Sequence, residues 1–415
     1  MIRKSAILLG LPVMLALTAC SDKAPDAPVP EAAVTKQADS NFADTMRSND
    51  RGDAGDAQQI PDSEERPVMQ VQVVLDRLGF SPGVIDGKEG MSTTNALKAF
   101  QTANDIDETG KLDDATKQAL VRWQDISATR VVTIPEDFAV GRFEKIPEGA
   151  EEQAKMTRLD YESLDEKLAE RFHTTVETLK MLNPDGRPAT TALATTDGAV
   201  LPAAKTTATP KPIATPNQTP SASGSAKADA TPGPVSMFAA GQQIRVPNIG
   251  GDFIDANTDL DVSWRDTLRM LGVGTDQPKA ARIVADKSDS TLKAYDAQDK
   301  LIAAFTITSG SSHDPLPLGD WKITGVAHNP PFAYDPTLFW DVSDSEEKQQ
   351  LPPGPNGPVG VVWIDLSKEH YGIHGTPAPE TIGRAESHGC VRLTNWDAAR
   401  LAEMVSTKTK VHFQQ

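Results

Sequence analysis

Between Val68 and Leu120 the apolar positions recur at helical spacing. Val68, Val71, Val74, Leu75 and Leu78 fall three and four residues apart until Gly79-Phe80-Ser81-Pro82-Gly83 breaks the run. A second helix, capped by Ser92 or Thr93, carries Ala96, Leu97 and Phe100. After the Thr109-Gly110 turn, Asp113 caps a third with Ala115, Ala119 and Leu120. The pattern predicts a small three-helix domain over 67–125.

Tyr161 to Pro184 reads as a helix pair, with Leu164, Leu168, Ala169, Phe172, Val176, Leu179 and Leu182 on one face. From Ala281 the period changes to that of short strands: Arg282–Ala285, Thr291–Tyr295, Leu301–Thr308, Trp321–Val326, Val361–Asp365, Tyr371–His374, Val391–Leu393 and Val411–Phe413. A mainly-β domain with little helix is expected over 280–415. Its one clear helix is capped by Asn395, with Trp396, Ala399, Leu401, Ala402 and Val405 facing inward. The acidic, then Pro-Gly-rich stretch from Asp341 to Gly360 has the composition of a lid over a cleft.

Two stretches carry almost no large apolar side chains and cannot bury enough surface to fold. One covers 20–66. As a coil it would span roughly 5–6 Å times the square root of its length, about 40 Å, a tether able to lift a folded unit off a surface. The other, from Ala203 to Pro234, lies within a disordered insertion over about 186–235. At the start, Arg3 and Lys4 precede the apolar run Ala6 to Thr18, which is too short to span the bilayer and has the layout of a secretory signal over 1–19.

The 415 residues suit two or three domains, and a hydrophobic content of 38% supplies real cores. The formal charge of −17 disfavours a nucleic-acid partner, because phosphate binding needs a basic footprint. The two cysteines are Cys20 and Cys390, and if Cys20 is modified, Cys390 has no intramolecular partner.

That thiol lies among groups suited to chemistry. His374-Gly375-Thr376 and Ser387-His388-Gly389-Cys390-Val391-Arg392-Leu393 put two imidazoles, a hydroxyl, a glycine and a guanidinium around one sulfur. A nearby imidazole or cation brings the thiolate within reach near neutral pH, and N–H groups around Gly389 and Cys390 could hold an oxyanion. An acyl-transfer site follows. The same three ligand types allow a zinc peptidase built on His374, His388 and Cys390. However, Tyr371-Gly372-Ile373 reads as strand, which spoils a helical ligand pair at His370 and His374. An inert wall-anchoring protein is the third reading. His313 could line the cleft, while His173, His328 and His412 read as surface or packed residues.

Several of these motifs resemble known families. Leu17-Thr18-Ala19-Cys20 resembles the lipobox of bacterial lipoproteins, which implies lipidation of Cys20, membrane attachment and a periplasmic location. Ser21 in the next position implies the outer membrane. Gly79-Phe80, Pro82-Gly83, Ile85-Asp86-Gly87, Ala96-Leu97-Lys98-Ala99-Phe100-Gln101 and Thr109-Gly110-Lys111-Leu112-Asp113 resemble the helical peptidoglycan-binding module of cell-wall enzymes. The helix pair joined to Gly241-Gln242-Gln243-Ile244-Arg245-Val246-Pro247-Asn248 resembles a degenerate LysM module split by the insertion, over 155–250. A helical spacer is the alternative.

The His-Gly and Ser-His-Gly-Cys-Val-Arg-Leu motifs, with Ser309-Gly310, Leu351-Pro352-Pro353-Gly354-Pro355 and Tyr371-Gly372-Ile373-His374, resemble the YkuD-type L,D-transpeptidase domain, a β-sandwich. The resemblance implies Cys390 as nucleophile and His374 as proton donor and acceptor, with His388, Ser387, Gly389 and Arg392 completing the catalytic set. It implies substrate contacts at Tyr371, Gly375 and Thr376. The reaction implied is acylation of Cys390 by a peptidoglycan tetrapeptide stem with loss of its terminal D-Ala, then capture by an amine. It needs neither metal nor organic cofactor.

Overall fold

The computed structural model describes residues 60–190, 231–250, 254–255, 258–340, 342–343 and 346–415. The expected signal, the lipobox with Cys20, most of the tether and most of the insertion lie outside these residues. No helix among the described residues is long and apolar enough to cross a membrane.

The three helices form at α1 (Pro67–Arg77), α2 (Met91–Ala103) and α3 (Asp114–Leu120). Proline opens α1, where its missing N–H is harmless. Asp113 caps α3 as expected, accepting from Thr116 N at 2.9 Å. Helix α2 starts two or three residues earlier than predicted, after Gly90. Thr93 is no cap because it is buried inside the unit, where Gln72 donates to its hydroxyl at 3.1 Å.

A second unit consists of β1 (Thr129–Thr133), α4 (Leu164–Arg171), α5 (Val176–Leu182) and β2 (Gln243–Pro247). The two strands pair antiparallel from Thr129 with Pro247 to Thr133 with Gln243. Leu164, Leu168, Phe172, Leu179 and Leu182 pack with Ile244 and Val246 in one core. The unit therefore begins before residue 155. A five-residue strand whose partner follows more than a hundred residues later leaves no local pattern to read.

The third unit opens with α6 (Val262–Leu271), which sequence periodicity passed over. Its Trp264, Leu268 and Leu271 are buried in the same core as the strands, so this domain starts upstream of 280. It continues through β3 (Arg282–Asp286), β4 (Thr291–Tyr295), β5 (Leu301–Thr306), β6 (Thr308–Ser309), β7 (Gly319–His328), β8 (Phe332–Tyr334), β9 (Gln349–Leu351), β10 (Val362–Leu366), β11 (Gly372–His374), β12 (Val391–Arg392), α7 (Asn395–Met404) and β13 (Lys410–Gln414). One nine-stranded sheet runs β5-β4-β3-β13-β7-β10-β11-β12-β6, while β8 and β9 form a separate hairpin. Strand β7 joins two halves of the sheet: Gly319–Lys322 pair with β13, and Ile323–His328 pair with β10. Helix α7 is capped by Thr394, which accepts from Asp397 N, and not by Asn395.

The helical unit closes one edge of this sheet. Ala304 N donates to Gly79 O at 3.0 Å and Ser81 N to Ala304 O at 2.8 Å, adding a parallel bridge beyond β5. Gly79 has φ +86, and a Cβ there would sit 3.2 Å from Ile302 O, so glycine fits the contact. The stretch expected to be a lid is anchored near its C-terminal end, at Pro353 and Asn356. Leu159 N donates to Pro353 O at 3.0 Å and Asn356 N to Leu159 O at 2.9 Å, tying this stretch to the second unit.

Candidate active site

The two sequence motifs meet on neighbouring strands. β11 and β12 pair in parallel, with Ile373 opposite Val391 and His374 opposite Arg392. Side chains two apart on a strand share a face, so His374, Arg392 and Gly372 lie on one side of the sheet. Cys390, immediately before β12, places its sulfur there too: Gly372 N–H and Arg392 act on the thiol, and Sγ reaches His370 O at 3.7 Å.

His374 is buried, and its ring is fixed. Nδ1 is 2.7 Å from Gly375 O. A carbonyl only accepts, so Nδ1 carries the proton and Nε2 keeps the lone pair that can take one. Trp363, opposite His374 on β10, stacks against the ring at 5.5 Å between centroids.

The charge state of the pair differs from the sequence expectation. Burial lowers the His374 pKa to about 4, and Arg392 pushes it the same way against the Gly375 carbonyl. Burial raises the Cys390 pKa above the ordinary thiol value, while the Gly372 N–H and Arg392 offset only part of that. The resting site therefore holds a neutral thiol and a neutral imidazole. Desolvation outweighs the nearby cation, so no thiolate waits at neutral pH. Alkylation of Cys390 by iodoacetamide, followed by mass analysis of its peptide, should keep accelerating above about pH 8.5, where an ordinary thiol begins to level off. A plateau already reached below pH 7 would show a preformed ion pair instead.

The other predicted residues shape the loop. Ser387 is buried, accepts from Gly310 N at 2.6 Å and donates to Cys390 O at 2.6 Å, so it holds the backbone rather than the sulfur. Gly389 has φ +97, and a Cβ there would lie 2.6 Å from the Tyr371 ring. The glycine thus makes room for the Tyr371 ring. Lys368 covers that ring, its Nζ 4.5 Å from the centroid. The buried Thr376 accepts from Ala378 N at 3.3 Å and closes a turn. His388 packs edge-on to Phe339 at 5.0 Å and near Trp340 at 6.1 Å, while His313 stacks on Trp340 at 4.4 Å. The segment at this rim is therefore the turn after β8, upstream of the stretch expected to be the lid. Among the described residues, no group of three or more His, Cys, Asp or Glu side chains converges on a point that could hold a metal ion.

Trp363, Phe339, Trp340 and Asn395 were not singled out for the site from sequence. Strand pairing alone would have placed Trp363 against His374. The other three need tertiary structure.

A half-buried thiol beside a histidine of fixed tautomer, carried by adjacent parallel strands, defines a cysteine-dependent acyl-transfer enzyme. Residues 280–413 match the L,D-transpeptidase catalytic domain family named YkuD, and residues 64–120 match the family described as "Putative peptidoglycan binding domain". The chain belongs to the YkuD-type L,D-transpeptidases. The "Putative L,D-transpeptidase YkuD" of Bacillus licheniformis is 31% identical over 150 residues, covering 36% of this chain and 75% of that protein. Its Bacillus subtilis counterpart is 53% identical over 57 residues, 14% of this chain and 35% of that protein. An L,D-transpeptidase structure from Mycobacterium smegmatis superposes with TM-score 0.27 at 21% identity, covering 33% of this chain and 59% of that one.

Proposed function

We propose that this enzyme cross-links or remodels peptidoglycan through a thioester on Cys390. His374 Nε2 takes the thiol proton as Sγ attacks the carbonyl of the L-to-D bond in a tetrapeptide stem. The ring then returns that proton to the departing D-Ala amine as the C–N bond breaks, and an acceptor amine releases the acyl group by the reverse steps. Because thiol and ring both start neutral, proton transfer accompanies the attack. The observation that carries this reading is the Nδ1 hydrogen bond to Gly375 O, which leaves Nε2 on the thiol's face of the sheet.

The remaining assignments belong to the same reading. The helical unit holds peptidoglycan close to the cleft. The paired strands β1 and β2 packed with α4 and α5 support a LysM-like reading and a second glycan contact there, although two one-turn helices, Glu136–Ala139 and Ala150–Gln153, intervene between β1 and α4. Lipid on Cys20 tethers the enzyme to the outer membrane, facing the periplasm, as its lipobox resemblance suggests.

Intact-mass measurement after exposure to a carbapenem should add one acyl group, located on Cys390 by peptide mapping. Incubation with tetrapeptide-bearing muropeptides should release D-Ala. Absence of both the adduct and D-Ala release, from protein shown to be folded, would overturn the reading.

A further inference from the structure

The predicted helix cap, Asn395, has another task. Its Nδ2 donates to Glu170 Oε1 at 2.7 Å and to Pro355 O at 3.1 Å, and its Oδ1 accepts from Val361 N at 3.2 Å. All these groups are shielded from water: Asn395 is wholly buried and Glu170 only 7% exposed. The amide also lies against two glycines. A Cβ on Gly375 would come 2.2 Å from Asn395 Oδ1, and one on Gly360 would come 1.9 Å from the same atom. Gly375 is the residue whose carbonyl holds His374 Nδ1.

Glu170 comes from α4 in the second unit, outside the segment matched to the catalytic family. Burial raises its pKa to about 7, with hydrogen bonds from Tyr161 and Asn395 opposing the shift and neighbouring Glu166 adding to it. A carboxyl kept in so apolar a place without an ion partner carries a desolvation penalty, so its placement against a site-forming amide calls for an account.

We propose that Glu170, acting through Asn395, is a positioning residue for catalysis: the second unit orients the amide that packs on Gly375, and so holds His374 in the tautomer that presents Nε2 to the thiol. This rests on the transpeptidase reading above. It makes the second unit part of the enzyme's working site and not only a spacer or glycan contact.

The full chain tests it with three readouts: carbapenem acylation rate by intact mass, the division between kcat and KM, and the ¹⁵N shifts of the His374 ring. In Glu170→Ala, acylation and kcat should fall ~10-fold or more, as expected from misorienting a reacting group, with KM changed less than about two-fold. The ring signals should leave the Nδ1-protonated form. Glu170→Gln keeps an acceptor oxygen and should restore most of the rate. A folded Glu170→Ala with wild-type rates and ring shifts overturns the proposal. If that variant does not fold, reversing the pair decides. Asn395→Asp should slow acylation by facing two carboxyls, and adding Glu170→Gln should recover it; no recovery overturns the proposal. A wild-type chain that forms no carbapenem adduct would instead sink the transpeptidase reading, while the ring shifts would still report on positioning.

Discussion

Cys390→Ala should lose turnover on the order of 10⁴-fold or more, the scale seen when a covalent nucleophile is removed, while binding to purified sacculi stays at the wild-type level. The loss is near-total because no neighbour can replace the sulfur. Ser387 is the closest hydroxyl in sequence, yet it is buried and donates to the Cys390 carbonyl. His374 alone can accept a proton but forms no thioester. Sacculus binding persists because the core of the helical unit, Leu75, Phe80, Ala96, Leu97 and Phe100 packed with Leu301 and Ala304 of β5, contains neither Cys390 nor His374. D-Ala release from muropeptides and pelleting with sacculi measure the two halves separately. Residual turnover within 100-fold of wild type would exclude the thiol mechanism.

The site's chemistry was legible where it is local. Ser-His-Gly-Cys-Val-Arg-Leu is contiguous, and His374 precedes it on a strand whose alternation was readable. Seven of the eight predicted strands of the catalytic domain formed as single strands, being short and bounded by turn residues, whereas the stretch predicted as one strand over Leu301–Thr308 divides into β5 and β6 at opposite ends of the sheet. What failed depended on partners far away in sequence. Asn395 has the composition of a cap, but Thr394 takes that position, and only the fold brings Glu170 and Gly375 to the amide. Strand β1 and helix α6 were invisible for a similar reason, since their apolar faces are completed by residues of other elements. The cation at Arg392, which lowers the thiol pKa, is visible in the sequence, whereas the burial that raises it is not.

The largest effect on stability should come from Asp76, the hinge of a buried charged network spanning all three units. Its carboxylate faces His173 Nδ1 at 3.3 Å and Arg400 Nη1 at 3.3 Å, and Ser81 donates to Asp397 nearby at 2.8 Å. His173 Nε2 lies 2.9 Å from Leu271 O, and the ring stacks on Trp396 at 5.0 Å. Burial by itself would raise the Asp76 pKa, but Arg400 and His173 more than reverse that and hold it well below the usual carboxylate range. Asp76→Ala would remove the carboxylate that Arg400 and His173 face in the interior and should destabilise the protein by about 3–5 kcal/mol. At roughly 2–4 °C per kcal/mol for a domain of this size, the melting temperature should drop on the order of 10 °C.

The pH dependence carries the sign. A depressed carboxyl stabilises the fold above its unfolded value and withdraws that support as pH falls below about 4. Asp397 behaves oppositely. Burial raises it to about 6, with Arg400 lowering it and Asp76 raising it, so the folded state takes up its proton first and gains stability as pH drops from 6 toward 4. Glu170, raised to about 7, acts in the same direction, whereas His374, lowered to about 4, withdraws stability over the same range, so the Asp76 contribution is read from the fall in urea midpoints below pH 4. In Asp76→Asn the overall midpoint should be lower and the decline below pH 4 much shallower. Because the network joins the helical unit through Asp76 and Ser81, the second unit through His173 and the catalytic domain through Asp397 and Arg400, the loss should appear in one cooperative transition. A mutant whose catalytic domain melts at the wild-type temperature while the helical unit unfolds early would show that the network does not couple them.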